Sequence, residues 1–378
     1  MLEKDEKIVE YLELIYDLIF VYIIGRNNSL LHNLEGGFVN STSFLAYILC
    51  SLAVIQIWTF STYYINMFGR NGIRDHLALF LNMYLLYYIG DGTRIHWDSF
   101  QYRYYIAWAL ILINIGIQYV IERRNHRSDT GEHRTCLRMS LVLFAESALV
   151  LVCIPLYFMT RIFFAGVPVI FGILFTSLSS DESKACLVDF PHLTERAMLY
   201  VVFSFGEMII AIAPYFEGKI SRSSLYFSIM SFLIVAGLFL SYEILYNRII
   251  DRNKKSTGLQ YMLIHIFLIF GMNTITTSLE FMRNEAVDLL PKTIMLVVSF
   301  LLYFICLFLL QLYARKEFRI CRRIMVPVVL ISSAFLILMF LFRTNMRINI
   351  LVSVLYVYAV FFFIYRFSRN RGPCATEA

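Results

Sequence analysis

Two carboxylates four residues apart in an apolar stretch have the makings of a proton or cation site. Glu13 and Asp17 stand in this relation within Glu13-Leu14-Ile15-Tyr16-Asp17-Leu18-Ile19-Phe20-Val21. On a helix that spacing puts both on one face, about 6 Å apart along the axis. Held so close and poorly solvated, the pair resists double ionisation and would hold or pass a proton near neutral pH. A second stretch, His192-Leu193-Thr194-Glu195-Arg196, runs on through Val201-Val202-Phe203-Ser204-Phe205-Gly206-Glu207. Its His192, Glu195 and Arg196 sit at i, i+3 and i+4, so the imidazole can meet either neighbour. Glu207 returns to nearly the face of Arg196, roughly 16 Å further along.

A charge near the bilayer centre costs at least about 2.5–3.5 kcal/mol, so these groups face a protein interior or a watery cavity. Two readings stay open. Arg196 neutralises Asp17 or Glu13 as a buried ion pair that locks helices together, or the charges line an ion or proton pathway. Both put Arg196 against the same carboxylates. Glu13 has a further, plainer reading at the hydrated membrane surface, which would leave only Asp17 immersed. Gly206 allows close backbone approach, or a local break exposing carbonyls to an ion. Glu146, Glu243 and His265 are secondary candidates. His265, alone on an aromatic stretch, reads first as a bonded structural histidine. Amides such as Gln56, Asn66, Asn82 and Asn114 read as hydrogen-bonding glue between helices.

The elements that must hold these residues are membrane helices. The chain is 59% hydrophobic and 16% charged, more apolar surface than a soluble domain of this length can bury. Apolar runs long enough to cross about 30 Å of hydrocarbon lie near residues 8–24, 43–67, 77–90, 104–121, 137–158, 162–178, 193–213, 225–246, 259–281, 293–313, 325–342 and 348–365. Their length fits helices, not strands. The expectation is an all-α polytopic protein of about twelve transmembrane helices in the cell membrane. Met1-Leu2-Glu3-Lys4-Asp5-Glu6-Lys7 is mixed in charge and lacks a small-residue cleavage site, so no cleavable signal is expected.

Loop charge supports the count. With twelve spans, 22 Lys and Arg residues fall on one side, in clusters such as 123–138, 248–255 and 315–323, and 10 on the other. The positive-inside rule then puts both termini in the cytoplasm. Those clusters are topogenic, and no nucleic-acid partner is expected. An internal repeat is also visible. Glu13 and Glu195 head corresponding helices; Tyr63-Tyr64-Ile65-Asn66 and Tyr242-Glu243-Ile244-Leu245-Tyr246-Asn247 end the next ones; His76 and His265 open the third. This predicts two six-span halves of the same orientation, 1–182 and 183–378, within one membrane domain. Transporters built from repeats place their site between the halves.

Several chemistries drop out. The seven cysteines form no Cys-x-x-Cys and no Cys/His cluster of ligand spacing, so neither disulfides nor metal is expected. No Gly-x-x-x-x-Gly-Lys-Ser/Thr, His-Glu-x-x-His or Gly-x-Ser-x-Gly occurs, and the reading is a non-enzyme without cofactor.

The two charged stretches resemble the signatures of the bacterial low temperature requirement A (LtrA) family. Glu13 to Val21 is similar to that family's Glu-Leu-Phe-Phe-Asp-Leu-Val-Phe-Val opening. His192-Leu193-Thr194-Glu195-Arg196 with Gly206-Glu207 is similar to its His-Leu-x-Glu-Arg and downstream Gly-Glu. Trp58 to Asn66 and His265 fit as well. Ile15-Tyr16 and Ala197-Met198 depart from the pattern, changing packing but not charge. The resemblance implies a bacterial inner-membrane, multi-pass protein linked by name to growth in the cold, and supplies no substrate. The resulting expectation is a secondary transporter or proton/ion pathway using Glu13, Asp17, His192, Glu195, Arg196 and Glu207, acting on a small solute, proton or cation. Its rival is a structural or regulatory membrane protein supporting growth at low temperature, whose ion pairs only hold the bundle.

Overall fold

Every apolar run folds as a helix. The computed structural model describes residues 7–93, 97–128, 130–178, 188–216, 221–282, 284–318 and 322–369. Among them are twelve α-helices: α1 (Tyr11–Asn27), α2 (Ser41–Phe68), α3 (Ile73–Gly92), α4 (Trp97–Arg123), α5 (Gly131–Thr160), α6 (Gly166–Leu178), α7 (Phe190–Ile212), α8 (Arg222–Ile244), α9 (Leu259–Phe281), α10 (Leu289–Leu309), α11 (Arg322–Leu341) and α12 (Met346–Arg369). The junction expected at 182–183 lies outside the described residues, as do Cys186, Cys321, Cys374, Lys4, Arg94, Lys184, Lys219, Arg283, Arg319 and Arg371.

Eight of these helices (α2, α4, α5, α7, α8, α9, α10 and α12) are long and apolar enough to cross a membrane. α1 has 17 residues and carries Glu13 and Asp17, while α6 has only 13 residues. Local chemistry fixes the ends. Asn40 caps α2, its Oδ1 accepting from the amides of Thr42 and Ser43 at 3.0 and 3.3 Å. Ser221 and Ser224 satisfy each other's amides at the start of α8. Beside an apolar interior, large apolar side chains are also exposed and several charged or polar ones are buried. Ile8, Leu77, Phe158, Ile210 and Leu330 are exposed, whereas Asp17, Gln56, Glu146, Arg196 and His265 are buried. Hydrocarbon accepts the first set and penalises the second.

The chain divides into two compact units. One comprises Met1–Asn33, Val39–Tyr200 and Asn253–Ile266; the other comprises Leu34–Phe38, Val201–Arg252 and Phe267–Ala378. In the first, α1 lies against α2 and α3, α4 packs along α3 and α5, and α6 rests on α2 and α5. Amides stitch these helices together. Asn114 donates to Asn82 Oδ1 at 2.7 Å and to the Ala78 carbonyl, and Asn82 donates to the Tyr16 hydroxyl at 3.4 Å. Charges gather at the two ends of α3. At its start, Arg70 and Arg74 reach Glu122 of α4 at 2.8 and 3.3 Å. At its finish, Asp91 pairs with Arg103 at 2.9 Å.

In the second unit α8 packs along α12. The Tyr303 hydroxyl donates to the Leu238 carbonyl at 2.8 Å, Asn349 donates to Thr293 at 3.0 Å, and Phe335 stacks on Tyr356. Gly206 departs from expectation. α7 runs unbroken through it, and a Cβ added there would meet nothing within 4 Å. It therefore neither opens a break nor seats a neighbouring backbone.

Candidate functional site

Four charged or titratable side chains meet in the first unit. The Asp17 and Arg196 side chains are fully buried, and Glu13 and His192 nearly so. Arg196 Nη2 donates to Asp17 Oδ1 at 2.5 Å, and its Nε lies 3.4 Å from Glu13 Oε2. His192 Nε2 lies 3.1 Å from that same Glu13 oxygen. Glu13 therefore pairs with His192 and Asp17 with Arg196, both pairs separated by 179 positions. Each partner advances by one helical turn, so α1 and α7 run parallel here.

Backbone geometry sets the histidine's proton. The Asp189 amide, an obligate donor, gives its hydrogen to Asn66 Oδ1 at 3.0 Å. The Asn66 nitrogen must then be the other terminus. It donates one hydrogen to the Asp189 carbonyl at 2.8 Å and the second to His192 Nδ1 at 3.0 Å. With Nδ1 accepting, the ring is neutral and carries its hydrogen on Nε2, aimed at Glu13. Asp189 also caps α7, its Oδ1 accepting from the His192 amide at 3.2 Å.

The two carboxylates have unlike surroundings. Asp17 Oδ1 takes a second hydrogen bond from the Trp58 indole at 2.8 Å, and that ring packs on Tyr200 at 4.4 Å. Asp17 Oδ2 and Arg196 Nη1 have no hydrogen-bond partner among the described residues, and the pair is not a fully satisfied lock there. Glu13 instead borders a cavity of about 460 Å³, with Lys7, Asn66, Asp75, His76 and Asp189 in its walls and exposed Ile8, Arg70 and Asn71 at its edge. Asp17 does not line it. Lys7 Nζ donates to the carbonyls of Ile65 and, at 2.9 Å, Gly69. Burial pushes its ammonium below the usual lysine range, against the opposing attraction of Glu13.

The remaining candidates lie elsewhere. Glu195 is half-buried, one position and so about 100° around α7 from Arg196. Glu207 belongs to the second unit, half-buried and close enough to feel the charge of Glu280. Glu243 is exposed on α8. His265 is buried, its Nδ1 2.8 Å from the Tyr261 carbonyl one turn back and its ring against that tyrosine. Glu146 is buried between α2 and α6. Sequence reasoning passed over Trp58, Asn66, Asp189 and Lys7 as members of the cluster. Asp189, three residues before His192, carried a capping signal; the others carried none that distinguishes them from ordinary polar or aromatic residues.

Exposed apolar helices around buried, paired charge define a polytopic helical membrane protein. The chain belongs to the bacterial low temperature requirement A (LtrA) family, whose model matches residues 8–360. No curated protein and no solved structure matches it.

Proposed function

We propose that the protein is a secondary transporter or proton pathway in which Glu13 is the exchanging carboxyl and Asp17 the fixed one. The carrying observation is a charge imbalance beside a cavity. Glu10, Glu13, Asp75 and Asp189 at the cavity, with Asp17 behind, face Arg196, Lys7 and the exposed Arg70, while the Asn66 bond leaves His192 neutral. Carboxylates outnumber cations in this set, and a proton or monovalent cation neutralises excess negative charge at least cost. Glu13 faces the cavity and is its natural recipient. Asp17, held by Arg196 and Trp58, is the fixed carboxyl and keeps the guanidinium in place.

In this reading the chain crosses the bilayer twelve times, in two halves of like orientation, with both termini cytoplasmic. Three contacts in the first unit support that arrangement. α1 and α7 run parallel, as two odd-numbered spans must. The Arg70 and Arg74 loop and the end of α4, assigned by charge to one side, meet at Glu122. Asp91 and Arg103, assigned to the other, meet at the opposite end of α3. The cavity at Lys7 and Glu13 then faces the cytoplasm.

The structural alternative has its own support in the complete burial of Asp17 and Arg196. Flux separates the two. Purified protein in proteoliposomes is expected to move protons or a monovalent cation down an imposed gradient, with Glu13→Gln and Asp17→Asn each abolishing the movement while the protein stays folded. Absence of flux in the unsubstituted protein, together with no effect of either change, would sink the transport reading and leave the structural one.

A further inference from the structure

Glu146 lies outside the cluster and the cavity just described. It sits on α5, fully buried, and neither of its carboxyl oxygens has a hydrogen-bond partner among the described residues. Its head group reaches α6 at Gly172, as does that of Gln56 from α2. A Cβ at position 172 would fall 2.0 Å from Gln56 Nε2 and 2.2 Å from Glu146 Oε2. The two polar ends therefore occupy the space that a side chain on α6 would fill. Gln56 is itself buried; its Nε2 donates to the Val169 carbonyl at 3.4 Å, and its Oε1 has no partner among the described residues. No charged group of α2, α4 or α6 among the described residues acts on the Glu146 carboxyl.

Three acceptor oxygens here lack a donor among the described residues, although the Gln56 nitrogen keeps a second N–H beyond the one given to Val169. One proton on Glu146 removes the charge and adds a donor, so that the acid and the Gln56 amide supply both donors and acceptors in the notch. Left as an anion, the group would be a lone charge in an apolar interior, far costlier than the neutral acid. We propose that Glu146 is a second proton-binding site, a neutral carboxylic acid hydrogen-bonded to the Gln56 amide in a notch that Gly172 leaves in α6. The proposal stands apart from any role of Glu13.

Infrared spectroscopy of the full-length protein in lipid at neutral pH tests it. The carbonyl stretch of a protonated carboxylic acid is expected in the wild type, in sodium and potassium buffers alike, and is expected to vanish in Glu146→Gln. Spectra identical in this region for the two proteins would overturn the assignment. So would a band that appears only when both cations are withdrawn, which would make the site a cation site. Should Glu146→Gln not fold, Gln56→Leu provides the second arm. Losing the partner is expected to shift the acid band to higher frequency, and an unmoved band overturns the pairing.

Discussion

Arg196 offers five N–H donors, one of which holds Asp17 Oδ1. Removing either partner strands the other charge without water, whereas removing both leaves a smaller and nearly neutral site. Asp17→Asn and Arg196→Met are each expected to cost about 3–5 kcal/mol, and the double change to recover much of that loss. Thermal unfolding of the three variants in detergent measures the coupling. Simple addition of the single losses would mean that the pair is not an energetic unit. Glu13→Gln should be milder than either single change, because Glu13 borders the cavity and keeps its bond from His192 Nε2. That difference in cost between Glu13 and Asp17 follows from their unlike surroundings, which the four-residue spacing alone does not reveal.

Helices are the scale at which the sequence was most legible. Run length and hydropathy placed all twelve helices, eight of them long and apolar enough to cross a membrane. The third reads as 77–90 and extends to Ile73–Gly92, since Arg74 and Asp75 in its first turn mask its start from a hydropathy reading while their contacts hold it there. Helix pairing was less legible. Aligning the halves matches Glu13 to Glu195, whereas the contacts join residues 179 apart, Glu13 to His192 and Asp17 to Arg196. Repeat equivalence and contact are different relations, and only the second depends on how side chains pack. Glu122 shows the same limit. Nothing about a single glutamate at the end of an apolar run predicts that it collects Arg70, Arg74 and Asn125 while 1% exposed. It ties the loop after α2 and the start of α3 to the end of α4. Glu122→Ala is expected to destabilise the protein by about 2 kcal/mol, the scale of a lost hydrogen bond to a charged group. Arg70 and Arg74 are exposed enough to rehydrate, which limits the loss. Limited proteolysis at residues 69–72 should accelerate in step. Unchanged stability and cleavage would show that the clamp carries no weight.

Across the whole molecule, loop charge and side-chain geometry bear on the same question from independent directions. The charge count asks which loops share a side and finds 22 basic residues against 10. The contacts ask which chain segments meet, and several in the first unit join segments that the count puts together: Lys7 with Gly69 and Asp189, Arg70 with Glu122, and Asp91 with Arg103. One added or missing span between α1 and α7 would make them antiparallel, and the paired contacts at equal offset could not form. The prediction is that cysteines introduced at Arg127 and Lys255 are shielded from an impermeant thiol reagent in intact cells, that one introduced at Arg222 is labelled, and that reporters fused to either terminus are active only as cytoplasmic fusions. Labelling at Arg127 and Arg222 alike would break the twelve-span topology. A uniform reversal would preserve the topology but turn the Glu13 cavity to the opposite side, and with it the side from which the proposed exchange begins.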